Sequence, residues 1–340
     1  MKAFQSILLT LFLGMLCFTG VSAQAPKASP PGPFRFISFG DAQGIAIRLA
    51  TTAKLAATFD PAFLLFNGDL QDVGSEPAGL AEMTNALGSL FDKVFLVRGN
   101  HDNALVGSAK SWNDYFSAIP RPLPAGVTNY TALDASTSYL TYSFDYGNSR
   151  FIGLDVPGDV QIITDGELQF LEDRLADAES KGLRHAFLFF HGPGYCVEAI
   201  HCTCQDRTDA ACTPTALIEI LNRHPIVSAT FHGHDHVLGW VHLNQTRLAG
   251  LKQPYEQFLT SPAGGFTYNA QIYPERMDYF YKGVADVRGF AVVDVNGASF
   301  TVRLYDVASA QPVWVKVFPV RNRPARQQFF GLVVSSLKEE

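Results

Sequence analysis

The sequence is short of extremes, and each shortage closes off a class of function. Net charge is only −6 over 340 residues, so there is no surplus of positive charge to coat a nucleic acid or grip an anionic membrane. A phosphate-bearing substrate would have to be attracted locally. No apolar run reaches the roughly 20 residues that a spanning helix needs. No internal repeat or low-complexity tract is visible. Cysteine is scarce, at five residues. What remains is an ordinary globular composition, 47% hydrophobic and 17% charged, enough for one large α/β domain or two small ones.

The first residues read as a targeting segment. Lys2 supplies a positive start, Ile7–Val21 an apolar core, and Val21-Ser22-Ala23 the small residues of a cleavage site before Gln24. Residues 1–23 are expected to be a signal peptide, with secretion or delivery to a periplasm and no membrane anchor after cleavage. A lipoprotein reading through Cys17 is disfavoured by Leu16, which is not small. Residues 24–33 contain PKASPPGP and form a proline-rich linker. The folded domain is expected over residues 34–320, with a tail at 321–340.

Loss of the leader takes Cys17 with it and leaves Cys196, Cys202, Cys204 and Cys212. An even number gathered in one loop of an exported chain reads as two disulfides. The rival is a zinc knot with His201 as an extra ligand. Asn129-Tyr130-Thr131 and Asn244-Gln245-Thr246 are glycosylation sequons, meaningful in a eukaryotic secretory route.

The centre of the chain is Ala62–Asp72, AFLLFNGDLQD. Four apolar residues too few for a helix make a strand buried on both faces. Gly68 breaks it and leaves Asp69 at its carboxyl end. Phe34–Phe39 is a strand leading to Asp41 and Gln43, Ile45–Phe59 a helix, and the set makes a strand–helix–strand unit with a parallel pair. A helix over Pro77–Phe91 precedes a strand at Val94–Val97 that ends at Asn100-His101. Asn103–Tyr139 reads as loop-rich, with Pro120, Pro122 and Pro124 close together. Tyr142–Tyr146 and Phe151–Asp155 form a hairpin, and Thr164-Asp165-Gly166-Glu167 is a capping box opening a helix that Gly182 stops. Ala186–Phe190 delivers His191, and Ile226–Phe231 delivers His234 and His236. Short β runs follow from Gln257. The fold class is α/β (α+β), two facing mixed sheets flanked by helices.

Five strand ends thus carry polar clusters: Asp41/Gln43, Asp69/Asp72, Asn100/His101, His191 and His234/His236. Ligands of open α/β sheets gather at the carboxyl ends of strands. Imidazoles, carboxylates and an amide oxygen suit Zn, Fe or Mn, and Asp69 is the natural shared ligand of two ions. Any one of these residues alone reads as a packing or turn residue; five clusters together do not. Arg98, Asn103, Tyr195 and His232 lie near the motifs but read as structural, and His185, His201, His224 and His242 as surface or packing residues.

The ordered series Asp41-Ala42-Gln43, Gly68-Asp69-Leu70-Gln71-Asp72, Gly99-Asn100-His101-Asp102, His191 and Gly233-His234-Asp235-His236 resembles the calcineurin-like metallophosphoesterase superfamily, over roughly Phe34 to Trp240. The resemblance implies a four-layer αββα sandwich and a binuclear centre. Asp41, Gln43 and His236 would bind one metal, Asn100, His191 and His234 the other, and Asp69 would bridge them. A bridging hydroxide would attack the phosphorus of a phosphate ester. His101 would protonate the leaving group, with Asp72 behind it. Gln43 departs from the family, which usually has histidine there. The motif layout is similar to that of purple acid phosphatases, but their tyrosine ligand would fall at Asp72. The implied activity is that of an exported phosphomonoesterase. A phosphodiesterase or nucleotidase on the same core is the alternative, and a silent metal- or phosphate-binding protein a further one.

Overall fold

The computed structural model describes residues 32–156, 163–197, 211, 213–267, 273–282 and 287–319. The expected leader, most of the linker, the tail, and Cys202, Cys204 and Cys212 lie outside these. In chain order the strands are β1 (Phe34–Phe39), β2 (Phe63–Asn67), β3 (Val94–Val97), β4 (Val127–Ala132), β5 (Tyr142–Tyr146), β6 (Ser149–Gly153) and β7 (His185–Phe189). They continue with β8 (Val227–His232), β9 (Leu238–Leu243), β10 (Tyr255–Thr260), β11 (Tyr279–Tyr281), β12 (Gly289–Asn296), β13 (Ser299–Asp306) and β14 (Gln311–Phe318). The helices are α1 (Ala46–Ala57), α2 (Pro77–Leu87), α3 (Ser108–Ala118), α4 (Asp165–Ser180) and α5 (Thr215–Arg223).

The strands form two mixed sheets. One has the order β14-β13-β12-β1-β2-β3 and the other β11-β9-β10-β8-β7-β6-β5-β4. The β1–β2–β3 pairs are parallel, as the helical crossovers require. β6, β7, β8 and β10 are also parallel to one another. All five residues of β2 are buried because each face meets a different layer. Phe63 and Leu65 point between the sheets, whereas Leu64 and Phe66 pack with α1, α2 and α3. Helices α4 and α5 cover the second sheet through Leu171, Leu175, Leu217 and Leu221. The result is the αββα sandwich expected from the sequence.

The inter-sheet layer is aromatic. Phe36, Phe63, Phe151 and Phe187 have ring centroids 4.8–5.5 Å apart along successive contacts. Offset and edge-on contacts of this kind add about 0.5–1.5 kcal/mol per pair beyond burial itself. Toward the carboxyl ends of the strands the layer turns polar. Asn67 Nδ2 donates to Ser38 Oγ at 2.8 Å and to Thr260 Oγ1 at 2.9 Å, tying β2 and β1 to β10 of the facing sheet.

Four elements depart from the sequence reading. Asn103–Tyr139 is not simply loop, since α3 and β4 lie within it. Helix α3 starts from Gly107 with no side-chain cap, so it lacks the start signal that marks α4. Its buried face, Trp112, Asn113 and Phe116, mixes polar and apolar residues. Strand β4 is an edge strand whose pairing with β5 shifts register between Thr128 and Thr131, with Asn129 at φ 52°, which erases the alternation expected of a strand. Strands β9 and β11 were also not anticipated. Among the described residues no helix is long and apolar enough to cross a membrane.

His224, at the end of α5, is a buried packing residue held by α4. Its Nδ1 lies 3.2 Å from Glu179 Oε2 and its Nε2 3.0 Å from Glu172 Oε1. Burial lowers its pKa, but the two carboxylates outweigh burial and raise it above the ordinary histidine value. A raised histidine stabilises the fold fully below its unfolded pKa and loses that contribution as pH rises through the folded one. His224→Gln should therefore cost on the order of 1 kcal/mol at pH 5.5 and less at pH 9, read by urea denaturation. An equal cost at both pH values would show that the ion pairs contribute nothing.

Candidate metal centre

Every candidate ligand sits where a strand stops. Strands β1, β2 and β3 end just before Asp41, Asp69 and Asn100; β7 ends before His191 and β8 before His234 and His236. The turns that follow are tight. Of the eight non-glycine described residues with positive φ, five are Asp41, Gln43, Asp69, His234 and His236. Such backbone costs about 1–3 kcal/mol per residue and persists where the surroundings impose it, commonly at working sites. The loops are held to each other by main-chain bonds: Asp41 N donates to Gly68 O at 2.9 Å, and Ala42 N to Asp69 O at 2.8 Å.

Gly99 fits this packing only as glycine. A Cβ there would lie 2.0 Å from Asp69 Oδ1. At Gly233 it would lie 2.3 Å from Asp41 Oδ2.

Two groups of ligand atoms result. Asp41, Asp69 and His236, all buried, offer one atom each within 4.8 Å of one another. In the second group Asn100 Oδ1 lies 2.9 Å from His191 Nε2 and 3.0 Å from His234 Nδ1, and His191 Nε2 lies 3.3 Å from Asp69 Oδ2. Asp69 therefore belongs to both. Two of the three imidazoles are oriented from behind. His191 Nδ1 donates to Asn67 O at 2.8 Å, and His236 Nδ1 to Phe266 O. That leaves His191 Nε2 and His236 Nε2 as the ligand atoms.

The electrostatics fit a cation. Burial opposes ionisation of Asp69, yet the charge and hydrogen bond of His191, with His101 and His234, hold its carboxyl well below the usual range. Burial likewise opposes protonation of His191, and Asp69 overrides it to push the imidazole up. Buried carboxylates with this need for positive charge, facing nitrogen and amide-oxygen donors, are a donor set for transition-metal ions. Asp41, Asp69 and His236 would hold one ion, and Asp69, Asn100, His191 and His234 the other.

His101 stands beside the two groups. Its main-chain N donates to Asp69 Oδ1 at 3.0 Å, and its Nε2 is 3.9 Å from Asp69 Oδ2. Burial lowers its pKa, but Asp69 and the Asp72 carbonyl outweigh it, so the net shift is upward. Asp72 meets His101 through two groups. Its main-chain oxygen accepts from His101 Nδ1 at 2.7 Å, while its carboxylate, 3.3 Å away, is largely exposed. Gln43 also has an unexpected neighbour: its amide nitrogen lies 3.3 Å from His101 Nε2, and a Cβ at Gly265 would sit 2.8 Å from its carbonyl oxygen.

Several residues that matter were given no role in the sequence. Asp102 is fully buried and accepts from the backbone of Leu70, Gln71 and Gly99 at 2.9–3.2 Å, so it clamps the Asp69 turn to the Asn100 turn. Burial and then the charge of Asp69 raise its pKa to about 7. Its place within Gly99-Asn100-His101-Asp102 was the available signal. Asn67 orients His191 through a carbonyl and ties the sheets through its amide; its position before Gly68 was a hint. The Phe266 carbonyl had no signal, since any residue supplies one. Arg98 and His232 are structural as expected: Arg98 pairs with Asp155 at 2.6 Å, and burial depresses the pKa of His232 to about 3. Cys196 is buried, and its expected pairing lies outside the described residues.

The model of the calcineurin-like phosphoesterase family matches residues 34–238, more than half the chain. The chain belongs to that family. No curated protein matches it. Among solved structures, a purple acid phosphatase from yellow lupin (Lupinus luteus) seeds superposes with a TM-score of 0.61 at 13% identity. That match covers 86% of this chain but 55% of the lupin protein, so the chain spans about half its length. A dimetal phosphatase from Danio rerio gives 0.53 at 13% identity, with 86% of this chain and 100% of that one covered. GAP50, described as the anchor in the inner membrane complex of Plasmodium, gives 0.53 at 13% identity over 86% of this chain and 90% of its own. Likeness at this identity concerns the fold, and the third protein shows that the fold also serves as an anchor.

Asp69 is shared by the two ligand groups and Gln43 faces His101, which separates their roles. Asp69→Asn should lose both metal equivalents, whereas Gln43→Ala should keep two, measured by elemental analysis after dialysis against a weak chelator. Loss of one equivalent from Gln43→Ala would return Gln43 to the ligand set.

Proposed function

We propose that the protein is an exported, binuclear metal-dependent phosphoesterase acting chiefly on phosphomonoesters. The observation that supports this best is His101, a half-buried imidazole fixed through Nδ1 by the Asp72 carbonyl, with Nε2 on the side of Asp69. A protein that only stored metal or phosphate would have no use for an oriented proton donor at that place. Export rests on the leader read from residues 1–23.

Two ions bound at this centre would polarise the phosphoryl oxygens and lower the pKa of a water enough to furnish the nucleophile. The chain's own residues do the rest. Asp41, Asp69, Asn100, His191, His234 and His236 would hold the ions, and the carbonyls of Asn67 and Phe266 fix the rings of His191 and His236. Asp102 keeps the Asp69 and Asn100 turns in register. The His101 main-chain N–H neutralises part of the Asp69 charge. His101 Nε2 gives its proton to the leaving oxygen as the P–O bond breaks, while Nδ1 stays on the Asp72 carbonyl.

Protein recovered from the exported fraction should begin at Gln24 and hydrolyse p-nitrophenyl phosphate when loaded with Mn or Zn. His101→Ala should keep both metals and lose about 10²–10⁴-fold in kcat on alkyl phosphates. The loss on p-nitrophenyl phosphate should be smaller, because that leaving group needs little protonation. An equal loss on both substrates would show that His101 is not the acid. Faster turnover of bis-p-nitrophenyl phosphate would favour the diesterase alternative.

A further inference from the structure

Exposed hydrophobic side chains occur on the segments next to the ligand turns. Nine large hydrophobic residues are exposed among the described ones, and five of them, Ile47, Val73, Leu105, Val106 and Phe266, flank the ligand turns. Isolated exposed hydrophobics are common, but a group of them beside one site is not. Ile47 and Val106 are at least 80% exposed, so neither contributes to the core.

Short contacts link the segments that carry them. Val73 follows Asp72, whose carbonyl holds His101. Gly74 N donates to His101 O at 2.7 Å, and a Cβ at Gly74 would lie 2.7 Å from Leu105 Cδ1. The Val73 and Leu105 segments therefore abut beside His101. Across the site, the Arg48 guanidinium lies 5.0 Å over the Phe266 ring. That joins the start of α1, where Ile47 stands, to the segment whose carbonyl orients His236. Gln43 bridges the two sides, near Gly265 on one and His101 on the other.

Leaving-group chemistry gives the rim its occupant. With His101 as the proton donor to the leaving oxygen, the group on that oxygen would leave the site past His101. The segments beside His101 there present Val73, Leu105 and Val106. Two polar side chains beside them have partners, Asn103 Oδ1 with Arg98 at 2.9 Å and the Asp72 carboxylate with His101 at 3.3 Å. A hydroxyl-rich alcohol would gain little there, whereas an alkyl or aryl group would be drawn out of water.

Resting on the phosphoesterase reading above, we propose that this rim is the alcohol-binding subsite and selects phosphoesters of apolar alcohols, alkyl or aryl. The test is binding, which does not depend on turnover. Calorimetry on the metal-loaded protein compares octylphosphonate with methylphosphonate. Octylphosphonate should bind at least about tenfold tighter, the effect of burying a few methylenes. The gap should shrink to about twofold in Leu105→Ser/Val106→Ser. Val73→Ser, at an exposed position on the facing segment beside His101, is the second variant should that one fail to fold, and should also narrow the gap. Equal affinity for the two phosphonates overturns the subsite and leaves the phosphoesterase reading standing. Equal affinity together with binding to phosphatidylcholine vesicles assigns the rim to a membrane surface and overturns the subsite equally. If neither phosphonate binds and no phosphoester is turned over, the phosphoesterase reading itself fails, and the subsite with it.

Discussion

A carboxylate with no access to water must meet positive charge or give up its own. Asp69 is in that position, buried at the end of a strand that is itself buried on both faces. Its backbone is left-handed at φ 55°, its Oδ1 takes the His101 amide, and its Oδ2 faces His191. Its main-chain oxygen is taken by Ala42 and Gln43. Nothing around it lets the side chain swing to solvent. The cluster of imidazoles is the response to that constraint, and bound cations would satisfy it more completely than protons do.

The same constraint explains why the site needs both sheets. Asp41, Asp69 and Asn100 come from one sheet, and His191, His234 and His236 from the other. Their relative positions depend on how the sheets are docked. Aromatic rings fill most of that interface, but rings slide. The Ser38–Asn67–Thr260 bonds, directly beneath the site, are directional and fix the registration. Asn67 serves twice, since its carbonyl also orients His191.

Much of this was legible in the sequence for physical reasons. Parallel strands buried on both faces announce themselves as short apolar runs, so β1, β2, β3, β7 and β8 were found with the polar residues at their ends. The capping box of α4 was equally plain. The misses share a cause: their signals are tertiary. Helix α3 has no cap and a mixed buried face, and β4 is a bulged edge strand. At the site, side-chain donors were visible and main-chain acceptors were not. The carbonyls of Asn67, Asp72 and Phe266 carry no mark of residue type, so the backbone contact of Asp72 with His101 was not legible beside its carboxylate. Nor does the sequence carry a sign that the Gln43 amide nitrogen lies 3.3 Å from His101 Nε2.

The central claim is that Asp69 is shared by two ions. Anomalous diffraction from crystals of the manganese- or zinc-loaded protein locates the ions independently of activity. Two anomalous peaks about 3.5–4 Å apart, one on each side of the Asp69 carboxylate, with His236 on one and His191 on the other, are predicted. A single peak, or two that do not both contact Asp69, would contradict the account.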